Sequence, residues 1–218
     1  IALMGRAPQI VLGINPKTMP NYKTVADLKG KKIGVTAPGS STNVMTNFVL
    51  AKAGLKPSDV SFVGVGTASG AVSAFRSGQI DAMANLDPVI STLERGGDFK
   101  VIADTRKLKD TEAVFGGPMP AACLYTRQEF LDRKPGTAQA LANAMVHALK
   151  WLQTAGPSDI VKAVPESYLL GDRALYLDAW LKVREAISPD GLIPDKGPAT
   201  ALSMLKQFEK DLEGKNID

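Results

Sequence analysis

One cysteine and one histidine are all that the 218 residues hold of those two types. Cys123 alone cannot close an internal disulfide, and a single thiol fits a reducing or an oxidising compartment equally well. His147 stands inside an apolar-periodic run and reads as structural or surface-facing. The chain carries no H-E-x-x-H, no paired cysteine motif, no G-x-x-x-x-G-K-[ST] and no G-x-S-x-G. A metal-dependent or nucleophilic enzyme would have to be assembled from isolated residues. Binding without chemistry is therefore expected, with no cofactor and no metal. No stretch approaches the roughly 20 apolar residues of a membrane-spanning helix. A basic stripe with interleaved aromatics is also missing, which argues against nucleic acid. The net charge of +4 and a pI near 9.1 tilt the chain mildly towards anionic partners.

The opening residues, IALMGRAPQIVLGI, show neither an initiator Met nor a signal-peptide layout, because Arg6 and Pro8 interrupt the apolar run. Residues 10–14 read as a buried strand. A chain that opens almost inside a strand is expected to be part of a longer one.

What is present is an ordinary globular composition, 44% hydrophobic and 22% charged. The length suits one large domain or two small lobes. After a turn-rich break at Asn15-Pro16 and Pro20-Asn21, a short helix runs from an N-cap at Thr24 to a stop at Gly30. Strands are then predicted at 32–36, 60–65, 80–86 and 99–103. Helices at 41–53, 69–77 and 88–95 alternate with them. This alternation with short loops predicts an α/β fold with a parallel or mixed sheet. Beyond the irregular FGGPMP, residues 121–126 read as one more strand. Helical periodicity follows at 136–154, 173–186 and 199–212.

Three stretches carry candidate site chemistry. In Pro38-Gly39-Ser40-Ser41-Thr42 a strand hands over to a helix through a glycine and three hydroxyls. Free N–H groups and the dipole at a helix start suit a sulfonate, phosphate, carboxylate or nitrate oxygen. Simple capping by Ser40 accounts for the same residues. The second stretch, Gly64-Val65-Gly66-Thr67-Ala68-Ser69-Gly70, nearly matches G-x-G-x-x-G, and Asp87 lies close to the usual acidic position. That opens a dinucleotide-binding reading. The third glycine, however, comes one place late, and the helix is short for such a crossover. In the milder reading this is a second helix start on the same cleft, with Thr67 offering a hydroxyl. In Asp87-Pro88, an N-cap followed by Pro at the first helical position explains both residue types. A parallel strand there would also bring Asp87 to the carboxyl edge of the sheet, where ligands bind.

The runs VADLKGKKIGVTAPGSST, AGLKPSDVSFVGVGTASGAVSAFRSGQIDAMANLDP, PMPAACLYTRQEFLDRKP and SPDGLIPDKGPATAL resemble the substrate-binding proteins of ABC importers. The resemblance is to the sulfonate, taurine, nitrate and thiamine-precursor group of periplasmic binding proteins, and it covers nearly the whole chain. It implies a two-lobed type II periplasmic-binding-protein-like fold whose first lobe is incomplete at the N-terminus. Residues 1–14 would end the first lobe and enter a hinge strand, residues 15–115 would form the second α/β lobe, and residues 116–218 would hold the return hinge strand and the helical remainder of the first lobe. The crossing strands would be residues 10–15 and 121–126. The implied site is Gly39, Ser40, Ser41 and Thr42 for an anionic group, with Thr67 beside them and Asp87 able to meet an amino group. Members of that group often carry an aromatic residue before the acid, where Leu86 stands here. The implied activity is capture of a small anionic solute and its delivery to an ABC permease by a monomer. The implied location is the periplasm, or a lipid anchor outside the cytoplasmic membrane. The effector domain of a regulator shares this fold and is the alternative.

Overall fold

The computed structural model describes residues 1–169, 171–209 and 212. In chain order, β1 (Ala2–Gly5) and β2 (Val11–Ile14) come first, then β3 (Lys32–Val35) and α1 (Ser41–Lys52). Next are β4 (Ser61–Gly64), α2 (Ser69–Arg76), β5 (Ala82–Asn85), α3 (Val89–Arg95), β6 (Lys100–Asp104) and α4 (Leu108–Phe115). The remainder is β7 (Ala121–Leu124), α5 (Gln128–Arg133), α6 (Pro135–Thr154), α7 (Pro157–Ala163), α8 (Arg173–Val183) and α9 (Gly197–Leu205).

Five strands form one sheet in the order β4-β3-β5-β2-β6. β3 runs parallel to β4 and β5, while β2 lies antiparallel between β5 and β6. Side chains alternate across a strand, so each inner strand feeds two cores. Leu12, Ile14, Ile33, Val35, Ala82 and Ala84 point to one face, where Met45, Val49 and Leu50 of α1 cover them. Val11 and Met83 point to the other, under Ala71 and Phe75 of α2 and Ile90 and Leu93 of α3. Covering on both faces explains why β2 and β5 are wholly buried, as layered α/β sheets require. Gly13 belongs to this packing. A Cβ there would lie 2.4 Å from the Phe99 ring and 2.6 Å from the Lys100 carbonyl oxygen, at the point where the β2–β6 register shifts. A backbone carbonyl cannot step aside, so only glycine fits this approach.

The second body is built on a two-stranded antiparallel sheet, β1 with β7. The far edge of β1 takes bonds from the tail. The Ser188 N–H donates to the Met4 carbonyl, and the Leu3 N–H donates to the Gly191 carbonyl. Trp180 of α8 packs with Ala155 and Ile160 in a small separate core.

Several expectations change here. The stretch expected to cross, residues 10–15, lies in the five-stranded sheet over Val11–Ile14. Val11–Ile14 hydrogen-bonds on both sides inside the five-stranded sheet, and the strand that pairs with β7 is β1, which the sequence pattern does not announce. Three short helices, α4, α5 and α7, also lacked a signal. α4 closes over α1, with Phe115 stacked on Phe48 at 5.0 Å between ring centroids. The helix expected at 173–186 continues past α8 as a tighter turn over Arg184–Ala186. The last helix, expected at 199–212, runs as Gly197–Leu205, and positions 210 and 211 of that expectation lie outside the described residues. Among the described residues, no helix is long and apolar enough to cross a membrane.

Candidate functional site

The three parallel strands β3, β4 and β5 end on one side of the sheet, and the three stretches singled out by sequence follow them there. Their loops are tied together. The Gly66 N–H donates to the Thr36 carbonyl at 3.1 Å, and Asn85 Nδ2 donates to the Gly66 carbonyl at 2.9 Å. Asn85 is fully buried and also takes the Leu86 N–H on its Oδ1. It therefore fixes the end of β5 against the loop after β4.

At the start of α1 the backbone turns through Gly39, whose φ of +77° favours glycine. Ser40 is the N-cap, and its Oγ accepts from the Asn43 N–H. A triangle of hydroxyls lies behind it. Thr36 Oγ1 donates to Ser40 Oγ at 3.0 Å, Ser40 Oγ and Thr42 Oγ1 are 2.8 Å apart, and Thr42 Oγ1 and Thr36 Oγ1 are 3.0 Å apart. Thr42 is fully buried, and its Oγ1 also accepts the Thr36 N–H at 2.9 Å. Gly39 and Ser41 are exposed and Ser40 is half-buried. Of the three hydroxyls expected to meet a ligand, one is thus an internal strut. The N–H groups of Ser41 and Thr42 occupy helix positions that have no intrahelical acceptor. The Asn43 side chain folds back over this turn, its Oδ1 accepting the Gly39 N–H at 2.9 Å, while its buried Nδ2 has no partner.

Thr67 is exposed and follows Gly66, whose φ is +70°. The dinucleotide reading of this stretch does not survive the topology. The antiparallel β2 sits inside the sheet, the strand order is not the doubly wound one, and the Gly66 carbonyl is engaged by Asn85.

Asp87 emerges at the same edge, but its side chain is only 7% exposed. Its Oδ1 accepts the Ser91 N–H at 2.8 Å, and its Oδ2 faces Arg106 Nη1 at 3.4 Å. Helix α3 starts at Val89, with Pro88 just ahead of it rather than at its first position. Arg106, 8% exposed, also binds Glu94 at 2.7 Å and Asp104 at 2.6 Å. Lys182 of α8 reaches Glu94 at 2.8 Å. Burial opposes the Arg106 charge, but bonds to Glu94 and Asp104 and the Asp87 charge hold the guanidinium above its ordinary range. Burial likewise raises the Glu94 pKa, yet bonds from Arg106 and Lys182 outweigh it and leave the carboxyl below its ordinary 4.5.

The linkage has a definite sign. A depressed folded-state pKa gives stability that is fully present above 4.5 and is lost as pH falls through the folded value. Glu94→Gln removes that contribution. The gap in urea midpoint between native and variant chains is expected to narrow as pH falls below 4.5. A gap that stays constant would show that Glu94 carries no linked proton.

Thr36, Asn43, Asn85 and Arg106 were not among the sequence candidates. Thr36 could have been suspected, as a hydroxyl four places before Ser40 across a Pro-Gly turn. Arg106 gave no signal, because its partners lie up to 19 residues away on other elements.

The model of the NMT1-like family matches residues 15–164. A protein of Brucella abortus (strain 2308) that bears the name of a binding protein is 31% identical over 155 residues, which are 70% of this chain and 45% of that protein. The chain thus spans about half the length of the curated relatives it matches. A solved structure from Bordetella bronchiseptica RB50 is 60% identical, with a TM-score of 0.96 over the whole chain and 69% of its own. The periplasmic aliphatic sulphonate binding protein of Escherichia coli has a TM-score of 0.63 at 22% identity, over the whole chain and 70% of its own. That last likeness is one of fold, the α/β fold of periplasmic binding proteins.

Proposed function

The chain belongs to the NMT1-like family, and from that premise we propose that it captures a small anionic organic solute, sulfonate-like in its charged end. The solute sits between two lobes and is handed to an ABC import permease at the membrane. The second lobe is the five-stranded body, residues 15–115 together with β2. The first lobe holds β1, residues 116–218 and whatever further chain the longer relatives share. The chain passes between the lobes at residues 6–10 and 116–120. A place outside the cytoplasmic membrane, free in the periplasm or lipid-anchored, follows from the same reading, as does action as a monomer.

The observation that carries the proposal is the shared edge. The loops after β3, β4 and β5 are hydrogen-bonded into one surface, and the exposed Gly39 and Ser41 stand on it beside half-buried Ser40. An anion there meets backbone N–H groups and the positive end of a 12-residue helix. Neutral donors of fixed geometry select by shape and by the number of oxygens they can satisfy. Closure of the lobes is then a shift of population towards the state that binds the solute better.

A thermal-shift series with ethanesulfonate, nitrate, acetate and ethylamine tests the reading. Ethanesulfonate is expected to raise the melting temperature in proportion to the logarithm of its concentration, and ethylamine is expected to leave it unchanged. A chain that responds to none of the anions does not do this work.

A further inference from the structure

On the proposed reading of two lobes, we infer that α8 is a strap: a row of ion pairs to α3 and one bond to α4 hold the two lobes at a fixed angle. The helix is anchored in the first lobe. Trp180 packs with Ala155 and Ile160, and Arg184 donates to the Gln153 carbonyl of α6. Its other side reaches the second lobe, with charge offered in both directions. Lys182 Nζ lies 2.8 Å from Glu94 and donates to Ser91 Oγ at 3.1 Å. In return Arg95, the neighbour of Glu94 on α3, meets Asp172 at 3.0 Å and Asp178 at 3.3 Å. Just past α8, Glu185 Oε1 accepts the Leu108 N–H at the start of α4 at 2.8 Å. The second lobe is short of positive charge at this point. Asp87, Glu94 and Asp104 share the guanidinium of Arg106 within it, and Lys182 is the cation that comes from the other lobe. The strap also has a lever. One end lies at the crossing, where the Arg6 N–H donates to the Ala186 carbonyl at 2.6 Å. Asp172 caps the other end of the 11-residue helix, about 15 Å away along its axis. A rotation of one lobe about the crossing must therefore part Arg95 from its carboxylates. Single exposed pairs of this kind hold little, but several on one rigid helix act together. Salt weakens the outer pairs first, because Arg95 and Asp178 are 51% and 66% exposed against 22% for Glu94.

Pulsed electron resonance between two nitroxides tests this, one on the exposed Cys123 of β7 and one on Ser58→Cys, exposed in the second lobe. Without solute, the chain is expected to give one narrow distribution of distances. Lys182→Met combined with Arg95→Gln should widen that distribution about twofold, as other angles become populated. Lys182→Arg combined with Arg95→Lys keeps both charges and should keep the native width. An unchanged width in the first variant, or equal widening in the second, would overturn the inference. If the first variant does not fold, Arg95→Gln alone, at an exposed position, is read by the same criterion. The distances are read without solute, so an unchanged width leaves solute capture standing, and a chain that binds no sulfonate leaves the strap standing.

Discussion

Replacing Arg106 by Met is expected to remove about 3 kcal/mol of stability, the lower end of the cost of breaking a buried charge set. The magnitude follows from what is left behind. Asp87, Glu94 and Asp104 converge on one guanidinium that is 8% exposed. Without it, three carboxylates face each other with Lys182 as the one remaining cation of the cluster. Water reaches Glu94 and Asp104, which are 22% and 26% exposed, and this relief keeps the loss from being larger. Asp87, at 7%, has no such outlet. For a chain of this size the loss corresponds to a melting temperature lower by roughly 6–12 °C. Arg106→Lys keeps a point charge but loses the planar fork that serves three partners, so it should fall between the two. A loss under about 1 kcal/mol for the Met variant would mean that the carboxylates are already solvated and that the cluster does not hold the edge.

The same cluster shows where sequence reading stops. The alternation of strands and helices from residue 32 to residue 104 was legible because each element carries its own period and its own stop, such as Gly54 after α1 and Gly78 after α2. Pairing was not legible. β2 reads as a buried strand from its apolar run, but nothing within LGI says that it inserts antiparallel between β5 and β6. That placement is decided by partners some 70 to 90 residues away, in loops whose lengths permit several orders. β1 was missed for a different reason. Four residues followed at once by Arg6 and then Pro8 are too few to show a period, and β7 supplies the pairing that makes them a strand. The site behaved likewise. Hydroxyls and glycine at a strand-to-helix turn are a local signal, so Gly39 to Thr42 could be named. Their division of labour depends on how the turn folds, since Thr36 Oγ1 must lie 3.0 Å from both Ser40 Oγ and Thr42 Oγ1.

That division predicts unequal roles for neighbouring hydroxyls. Each hydroxyl has one proton to give. Thr36 gives its proton to Ser40. Thr42 is fully buried, so its proton stays within the triangle. Within the triangle, Ser40 alone can turn its proton outward without orphaning a buried acceptor, because Thr42 Oγ1 already holds the Thr36 N–H. Ser40→Ala should therefore weaken ethanesulfonate by about 10- to 100-fold, the range for losing one hydrogen bond to a charged group. Its cost in stability should be about 1 kcal/mol, that of a lost N-cap. Thr42→Val should show the reverse. It keeps the shape and the backbone N–H but leaves buried partners unpaired, so stability falls by about 1–3 kcal/mol while affinity of the folded chain changes less than about threefold. Ser41→Ala keeps its N–H at the helix start and should lie near the native value in both. Calorimetry on the three variants, with urea melts beside it, separates the roles. Equal losses of affinity in S40A and T42V would mean that the triangle acts as one rigid seat, and no loss in S40A would move the anion away from this turn.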